Sequence, residues 1–356
     1  MQVNRRPTRV STSLGMYSDS TAALICRGKY KPATMASLFK PPSSPFEPPS
    51  IPYRILNSPL RFLVQTVYAF FLLLRGSIVH KPPSTSAIRI ICISDTHTHK
   101  SQNLPPGDVL IHAGDITNDG TLAEVQAQID WLSSLPYDHK ILICGNHDSF
   151  FDPKSRRRDD LRRDVEWRDV HYLQHSSLEL KFTKRENRQL TFFGAPQIPQ
   201  CGGKNFAFQY RRTDDAWSGT IPPETDVLIT HTPPRHHLDL PTGLGCDYLL
   251  REVWKVRPSL HVFGHVHAGN GKEEVGWDET QRLFEKLCAR SERGLLMDII
   301  DVRAWIDLGQ LIIHGMLGIF WSRVWGGDVG GSILVNAALM YGSSGQLGNP
   351  SHVVEI

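Results

Sequence analysis

Short apolar runs alternate with amphipathic stretches over most of the chain after residue 87. Six of the runs are rich in β-forming residues and end at Gly, Asp or Ser, which predicts buried strands. They begin at Ile88, Asp108, Lys140, Leu190, Asp226 and Leu260, and SILVN (from Ser332) and the C-terminal HVVEI predict two more. Helical periodicity runs from Thr121, the predicted N-cap, to Leu135, and again from Cys246. Strands that alternate with helices predict an α/β domain.

Three segments depart from this pattern. Residues 1–59 are rich in Pro and Ser and predict a disordered tail, which we favour over an organellar transit peptide. Residues 60–80 predict an apolar helical segment, which is short for a membrane span. The folded domain is placed at residues 86–356 and carries a predicted helical insertion at residues 273–330, whose second half is apolar with Gly breaks.

The charge balance and the cysteines argue against two broad classes of protein. The chain carries 39 Lys and Arg against 36 Asp and Glu, so it lacks the basic excess of a nucleic-acid binder, and no sequence-specific nucleic-acid partner is expected. Its six cysteines are scattered, without the C-x-x-C spacing of a zinc or redox motif. An intracellular, cytoplasmic protein is therefore predicted, with peripheral membrane association left open.

Five short polar motifs follow five of the predicted strands. Because the carboxyl ends of parallel strands share one edge of a sheet, we expect these motifs to converge. Carboxylates and imidazoles together suit Mn, Fe or Zn, and two such ions about 4 Å apart can clamp a phosphoryl group. Ordinary turn and capping residues are the alternative, but they predict no particular order. The motifs are D-T-H at Asp95 to His97, G-D at Gly114 and Asp115, G-N-H-D at Gly145 to Asp148, T-H at Thr230 and His231, and G-H-V-H at Gly264 to His267.

This order resembles the signature of the calcineurin-like metallophosphoesterase superfamily, D-x-H, G-D, G-N-H-[DE], H and G-H-x-H. Segments such as GDVLIHAGDIT and VRPSLHVFGHVHAG are similar to its metallophosphoesterase-domain-containing, phosphodiesterase-like subgroup. The resemblance covers residues 88–271 and resumes at about residue 332. It implies an α/β sandwich of two mixed sheets flanked by helices, with the helical insertion before the last strands.

The resemblance also implies a dinuclear metal site of Mn, Fe or Zn and a role for each site residue. His147 would stabilise the phosphoryl charge or protonate the leaving oxygen, and Asn146 and His147 would contact the substrate. The implied ligands are Asp95, His97 and His267 for the first ion, Asp115 as the bridge, and Asn146, His231 and His265 for the second.

One position departs from many relatives. They carry an acidic residue three positions after the bridging Asp, where this chain has Asn118. An Asn side chain does not stabilise an imidazolium as a carboxylate does, so the strength of His147 as a general acid is left open. Asp119 and Asp148 are either substitutes for that acid or plain turn residues.

The predicted function is dinuclear-metal-dependent hydrolysis of a small-molecule phosphoester, with a metal-bound hydroxide as nucleophile. By resemblance to the subgroup, a phosphodiester is the preferred substrate, with cyclic nucleotides among the candidates. The alternatives are a phosphomonoesterase or protein phosphatase, and a membrane-surface scaffold that keeps the fold without turnover. The apolar stretches from Phe62 to Leu74 and from Leu308 to Trp325 suit a membrane surface, the protein's own core or a second subunit equally, and the oligomeric state stays undetermined.

Overall fold

The computed structural model describes residues 39–79, 82–157, 164–291, 294–325 and 330–356. Within these ranges the chain forms a two-sheet sandwich flanked by helices, which confirms the predicted fold class. The strands are β1 Arg89–Ile93, β2 Val109–Ala113, β3 His139–Ile143, β4 Val170–Tyr172, β5 Ser176–Phe182, β6 Arg188–Ala195, β7 Ile198–Pro199, β8 Gln209–Tyr210, β9 Val227–Thr230, β10 Leu260–Phe263, β11 Gly271–Gly276, β12 Gly331–Asn336 and β13 His352–Glu355. The helices are α1 Ile51–Asn57, α2 Pro59–Arg75, α3 Leu122–Ser134, α4 Asp247–Val256, α5 Glu279–Cys288, α6 Gly294–Ile300 and α7 Val302–Val324.

Both large sheets are mixed, with their parallel strands in the middle. The first sheet has the order β13-β1-β2-β3-β4, and only β13 runs antiparallel to its neighbour. The second has the order β11-β12-β10-β9-β6-β5, with antiparallel strands β11 and β5 at its two edges. The central strands read as continuous apolar runs because both of their faces are covered.

Three apolar layers hold the sandwich together. The inner layer fills the space between the sheets and includes Ile90, Ile111 and Val262. On the outer face of the first sheet, α3 packs its apolar side, and Thr121 and Glu124 form a capping box at its start. On the outer face of the second sheet, α4 packs in the same way. The helices thereby hold the carboxyl ends of the parallel strands in a fixed arrangement.

The remaining helices, α1, α2, α5, α6 and α7, form a second layer of structure that we call the helical module. Its core joins apolar side chains of α2, α5 and α7, among them Val64, Leu283 and Leu311. Arg75 at the end of α2 pairs with Asp278, the N-cap of α5, at 2.6 Å. Two segments far apart in sequence, before and after the five polar motifs, therefore build one helical unit.

Two predicted boundaries differ from the structure. The insertion predicted at residues 273–330 begins later, because Gly271–Gly276 forms β11 and pairs with β12. Its polar sequence, GKEEVG, suits an edge strand and hides it from a search for apolar runs. Of the tail predicted at residues 1–59, residues 1–38 lie outside the described residues, and Ile51–Asn57 is helical with Ser50 as its cap. The segment predicted at residues 60–80 contains α2, while residues 80 and 81 lie outside the described residues.

Candidate metal centre

The predicted site residues lie on loops at the carboxyl ends of β1, β2, β3, β9 and β10, where the two sheets meet. Three groups of side chains bring potential ligand atoms within 4.8 Å of one another. Asp115 belongs to two of these groups and Asp95 to two. The groups are Asp95, His97 and His267; His97, Asp115 and His147; and Asp95, Asp115 and His231. Side chains separated by up to 172 residues of sequence therefore share one site, as the strand topology predicts.

The backbone at this site is held in a conformation that most residues avoid. Asp95, His97, Asp115 and His265 all have positive φ, between 46° and 65°. Such strain persists where the surrounding structure imposes it, and it is concentrated at functional sites. Here the loops bind one another directly, since the amide of His97 donates to the carbonyl of Asp115 at 3.0 Å. The strain turns the carboxylates and imidazoles toward a common centre.

Two glycines let the loops approach this closely. A Cβ at Gly145 would lie 2.3 Å from Oδ1 of Asp115, and one at Gly264 would lie 2.1 Å from Oδ2 of Asp95. Neither contact is sterically possible, so the glycines of the G-N-H-D and G-H-V-H motifs are required by the packing of the two carboxylates.

The imidazoles are oriented by hydrogen bonds that leave one ring nitrogen facing inward. Nδ1 of His267 donates to the carbonyl of Gly342 at 2.7 Å, and Nε2 of the same ring lies 3.3 Å from Oδ1 of Asp95. Nδ1 of His231 donates to the carbonyl of Ala113 at 2.9 Å. Carbonyl partners of this kind fix the tautomer of a histidine that binds metal through its other nitrogen.

The atoms that face inward are ring nitrogens and oxygens, groups that can hold a proton or a metal ion between them. Nε2 of His231 lies 3.1 Å from Oδ1 of Asn146 and 3.4 Å from Oδ2 of Asp115. Nε2 of His97 is buried without a hydrogen-bond partner and lies 3.8 Å from Oδ2 of Asp115. Acceptors that converge in this way require either protons or cations between them. The donor set therefore fits divalent cations that accept both nitrogen and oxygen ligands.

The charges of the site point the same way. Burial would raise the pKa of Asp95, but the hydrogen bond from His267 and the nearby imidazoles outweigh it and lower that pKa. The pKa of Asp115 is likewise lowered against burial, chiefly by His231. Burial would lower the pKa of His231, but Asp115 reverses the effect and raises it to about 9. Two buried carboxylates thus stay ionised, and a buried negative charge requires positive charge beside it, from an imidazolium or a bound cation.

His265 takes a position of its own. Among the described residues it belongs to none of the three groups, and its ring centroid lies 5.3 Å from that of His231. Its amide donates to Oδ2 of Asp95 at 3.0 Å. The structure thus places His265 beside the site, and its role as a ligand, like the roles of the other predicted ligands, stays a prediction.

His147 and Asn118 meet through the backbone. The carbonyl of Asn118 accepts from Nδ1 of His147 at 2.8 Å, while the side-chain amide of Asn118 donates to the carbonyl of His97 at 3.2 Å. The amide of His147 donates to Oδ1 of Asp115 at 2.8 Å. A backbone carbonyl thus orients His147, so the missing carboxylate at position 118 does not leave the ring without a partner.

Two phenylalanines near the site escaped the sequence analysis, and Asp148 has a contact that the analysis did not predict. Asp148 is buried and accepts from the amides of Gly145 and Thr117, so it ties the second and third motif loops together. The ring of Phe206 lies 4.8 Å from that of His147, and the ring of Phe46 lies 5.7 Å from that of His265. No spacing in the sequence connects these phenylalanines with the motifs.

One family model and several known proteins are similar to this chain. The model described as "Calcineurin-like phosphoesterase" matches residues 88–269. "Metallophosphoesterase domain-containing protein 1" of Homo sapiens is 37% identical over 210 residues, which cover 54% of this chain and 63% of that protein. A UPF0046 protein of Caenorhabditis elegans is 33% identical over 207 residues, which cover 54% of this chain and 69% of that protein.

A further relative is much longer. "Probable rhamnogalacturonate lyase C" of Emericella nidulans is 40% identical over 289 residues, which cover 80% of this chain but 26% of that protein. This chain thus spans about a quarter of the length of that relative.

Proposed function

The chain belongs to the calcineurin-like phosphoesterase family, and from this premise we propose that it hydrolyses phosphodiesters with the help of two divalent metal ions. The observation that carries the proposal is the carboxylate of Asp115, which is shared by two groups of potential ligands. One group contains His97 and His147, and the other contains Asp95 and His231. A carboxylate between two ligand sets is what a pair of ions about 4 Å apart requires.

The ligand types narrow the choice of ions. Imidazole nitrogens and carboxylate oxygens together suit Mn, Fe and Zn better than Ca, which prefers oxygen alone. When bound, two such ions would neutralise phosphoryl oxygens and lower the pKa of a water molecule to near neutrality. We propose manganese as the first ion to test.

The protein's own groups would do the rest of the chemistry. Because Nδ1 of His147 is held by a carbonyl, Nε2 of this ring is the nitrogen that remains for a proton transfer. Half-buried beside Asp115, it is placed to protonate the leaving oxygen or to donate a hydrogen bond to the phosphoryl group. Asn146, whose Oδ1 faces His231, holds its loop against the centre.

Two aromatic rings support an organic diester as the substrate. Phe206 lies against His147 and Phe46 lies against His265, so each flanks a different histidine of the site. Aromatic rings stack on flat groups such as nucleobases. We therefore propose a phosphodiester that carries a flat ester group, with cyclic nucleotides as the first natural class to test.

The relative that is named as a lyase does not support a second candidate. The region similar to this chain makes up 26% of that protein, so its name need not describe the shared part. The converging carboxylates and imidazoles described above are groups suited to metal-assisted hydrolysis.

The proposal is tested by stripping the full-length chain of metal, reloading it with Mn, Fe or Zn, and measuring four hydrolysis rates. The substrates are bis-p-nitrophenyl phosphate, p-nitrophenyl phosphate, a cyclic nucleotide and a phosphopeptide. We expect the metal-loaded chain to hydrolyse the diesters at least about tenfold faster than the monoesters, because Phe46 and Phe206 can contact the second ester group. Faster turnover of p-nitrophenyl phosphate or of the phosphopeptide would favour a phosphomonoesterase or a protein phosphatase. Two bound ions without turnover of any substrate would favour a scaffold.

A further inference from the structure

Exposed apolar side chains are concentrated in two segments of the chain. Of the 25 large hydrophobic residues that are exposed among the described residues, 24 lie within residues 39–74 and 295–325. The other is Tyr341 in the last loop of the sandwich. Many are more than half exposed, including Leu296 at 77% and Ile300 at 67%. Monomeric soluble proteins rarely expose large apolar patches without a partner.

The helices that carry this surface are apolar on two sides. The inner side of α7 packs Leu308 and Leu311 into the core of the helical module, and its outer side exposes Ile313, Leu317 and Phe320. The outer residues of α1, α2, α6 and α7 form what we call the apolar face. Since the inner side already stabilises the module, the outer apolar residues have no role in its packing.

The charges on these four helices are sorted by side. Their two acidic residues, Asp298 and Asp307, are buried. Asp298 accepts from the amide of Leu60 at 3.2 Å, and Asp307 pairs with Lys286 at 2.7 Å. The exposed charges of α7 are both basic, Arg303 and Arg323. The face therefore offers apolar side chains and positive charge but no exposed carboxylate, which complements an anionic lipid surface.

Tryptophans occupy the ends of α7. Trp305 is 42% exposed near its start, and Trp321 and Trp325 are 51% and 65% exposed at its end. Indole rings favour the boundary between lipid headgroups and acyl chains. Arg323 lies between Trp321 and Trp325, is exposed, and donates to the carbonyl of Leu74 at 3.0 Å.

From these observations we propose that the apolar face of α1, α2, α6 and α7 docks on the surface of an anionic phospholipid bilayer, with α7 lying in the plane of the interface. The alternative arrangement is a crossing, for which α7 is long and apolar enough, as the bent pair α1 and α2 would be if it formed one span. A crossing of α7 would separate it from α5 and from β12, which follows it in the chain and pairs within the sheet. An interfacial helix keeps all of these contacts.

The test is co-flotation of the full-length chain with vesicles of phosphatidylcholine alone and with added phosphatidylserine. We expect binding to the anionic vesicles at low salt, and weaker binding to the neutral ones. The triple variant Ile313→Gln, Leu317→Gln and Phe320→Gln should reduce the bound fraction at least about tenfold, because each change removes exposed apolar area. The pair Arg303→Gln and Arg323→Gln should lower binding to anionic vesicles toward the neutral level.

Matched controls separate this surface from a general effect. The pair Lys154→Gln and Arg211→Gln removes the same charge from exposed positions on the sandwich and should leave flotation unchanged. Helical circular dichroism and the melting temperature report whether each variant is folded. If the triple variant does not fold, quenching of tryptophan fluorescence by brominated lipids tests the unaltered chain, and strong quenching is expected.

Two outcomes would overturn the proposal. One is failure of the full-length chain to float with either vesicle. The other is a dimer in light scattering that becomes a monomer in the triple variant, because a second copy of the chain would then cover the apolar face.

Discussion

In the sandwich, the side chains of β2 are all buried. In the helical module, α7 buries five of its 23 residues, and nine others are exposed large hydrophobic residues. Both elements are rich in apolar residues. The difference lies in what surrounds them: β2 has sheet neighbours on both edges and apolar layers on both faces, while α7 has partners on one side.

Apolar residues thus form a buried core in one region of the molecule and an exposed surface in the other. In the sandwich it specifies a core, and the burial of that core holds the motif loops in strained positions around Asp95 and Asp115. In the helical module, part of the apolar sequence forms the exposed apolar face. Changes in the sandwich should therefore act on chemistry, changes at the junction should act on stability, and changes within the module should leave the chemistry intact.

The largest effect is expected at Asp115. Asp115→Asn keeps the shape of the side chain but removes the charge shared by two ligand groups. We expect bound metal to fall below two ions per chain and the rate of diester hydrolysis to fall by about 10³-fold or more. Asp214→Asn, at an exposed position of the sandwich, is the control and should change neither quantity. Elemental analysis measures the bound metal, and initial rates measure the hydrolysis. Two retained ions with an unchanged rate would show that Asp115 is not the bridging ligand.

How far the sequence predicts the site depends on the kind of contact. Side chains that directly follow buried strands, such as Asp95 and His231, were predictable because strand ends converge in a parallel sheet. Contacts made by backbone atoms were not. The prediction for Asn118 considered only its side chain, whereas its backbone carbonyl is the group that orients His147. Phe46 and Phe206, whose rings lie beside the site, belong to irregular segments. No periodic pattern there predicts where a side chain lies.

The fold shows the same division. Buried central strands were predicted because both faces are apolar, but the edge strand Ser176–Phe182 alternates between exposed and buried residues and was missed, as was the polar strand Gly271–Gly276. Apolar helices were predicted in both segments of the helical module, but not that they would pack together. That contact joins residues more than 200 positions apart, as in the pair of Arg75 and Asp278, and no local pattern encodes it.

The next effect is expected at the junction between the two regions. His237, 2% exposed, donates from both ring nitrogens, at 2.7 Å to Glu273 of β11 and at 3.1 Å to Glu285 of α5. Burial would lower the pKa of His237, but the two carboxylates raise it to about 10. His237→Gln should lower the free energy of unfolding by about 3 kcal/mol at neutral pH, since it leaves two carboxylates without their cation.

The sign of the pH dependence follows from the raised pKa. The stabilisation by His237 is fully present below the unfolded-state pKa of about 6.5 and is lost as the pH rises through about 10. The gap between wild type and variant in denaturant unfolding should therefore narrow from pH 7 to pH 10. His261→Gln is the control, because burial lowers the pKa of His261 to about 3 and its protonation does not change over that range. A constant gap would show that His237 is not charged in the folded protein.

A smaller effect is expected at His147, and it separates chemistry from metal binding. His147→Ala should retain most of the metal and lose about 10² in kcat, equivalent to about 2.7 kcal/mol, because a proton donor or charge-stabilising group is removed. His171→Ala, on the edge strand β4, is the control. A smaller loss with good leaving groups would identify His147 as the general acid. Parallel loss of metal would instead make it a ligand, which its place beside His97 and Asp115 allows.

The smallest effect concerns the tightness of the helical module, and it uses two glycines of the same helix. At Gly315 of α7 an added Cβ would lie 2.5 Å from Cδ2 of Phe71, so the helices α2 and α7 cross where only glycine fits. At Gly309 nothing lies within 4 Å of the added atom. Gly315→Ala should therefore lower the free energy of unfolding by about 1–2 kcal/mol, through overpacking.

Gly309→Ala should instead raise the free energy of unfolding by about 0.5–1 kcal/mol, because alanine loses less backbone entropy in a helix. The opposite signs matter more than the sizes, since helix propensity alone favours alanine at both positions. If both variants were stabilised, α7 would not pack against α2 as described, and the helical module would lack the fixed inner side that leaves its outer side free. Diester hydrolysis should be unchanged in both, because neither glycine contacts the loops that hold Asp95 and Asp115.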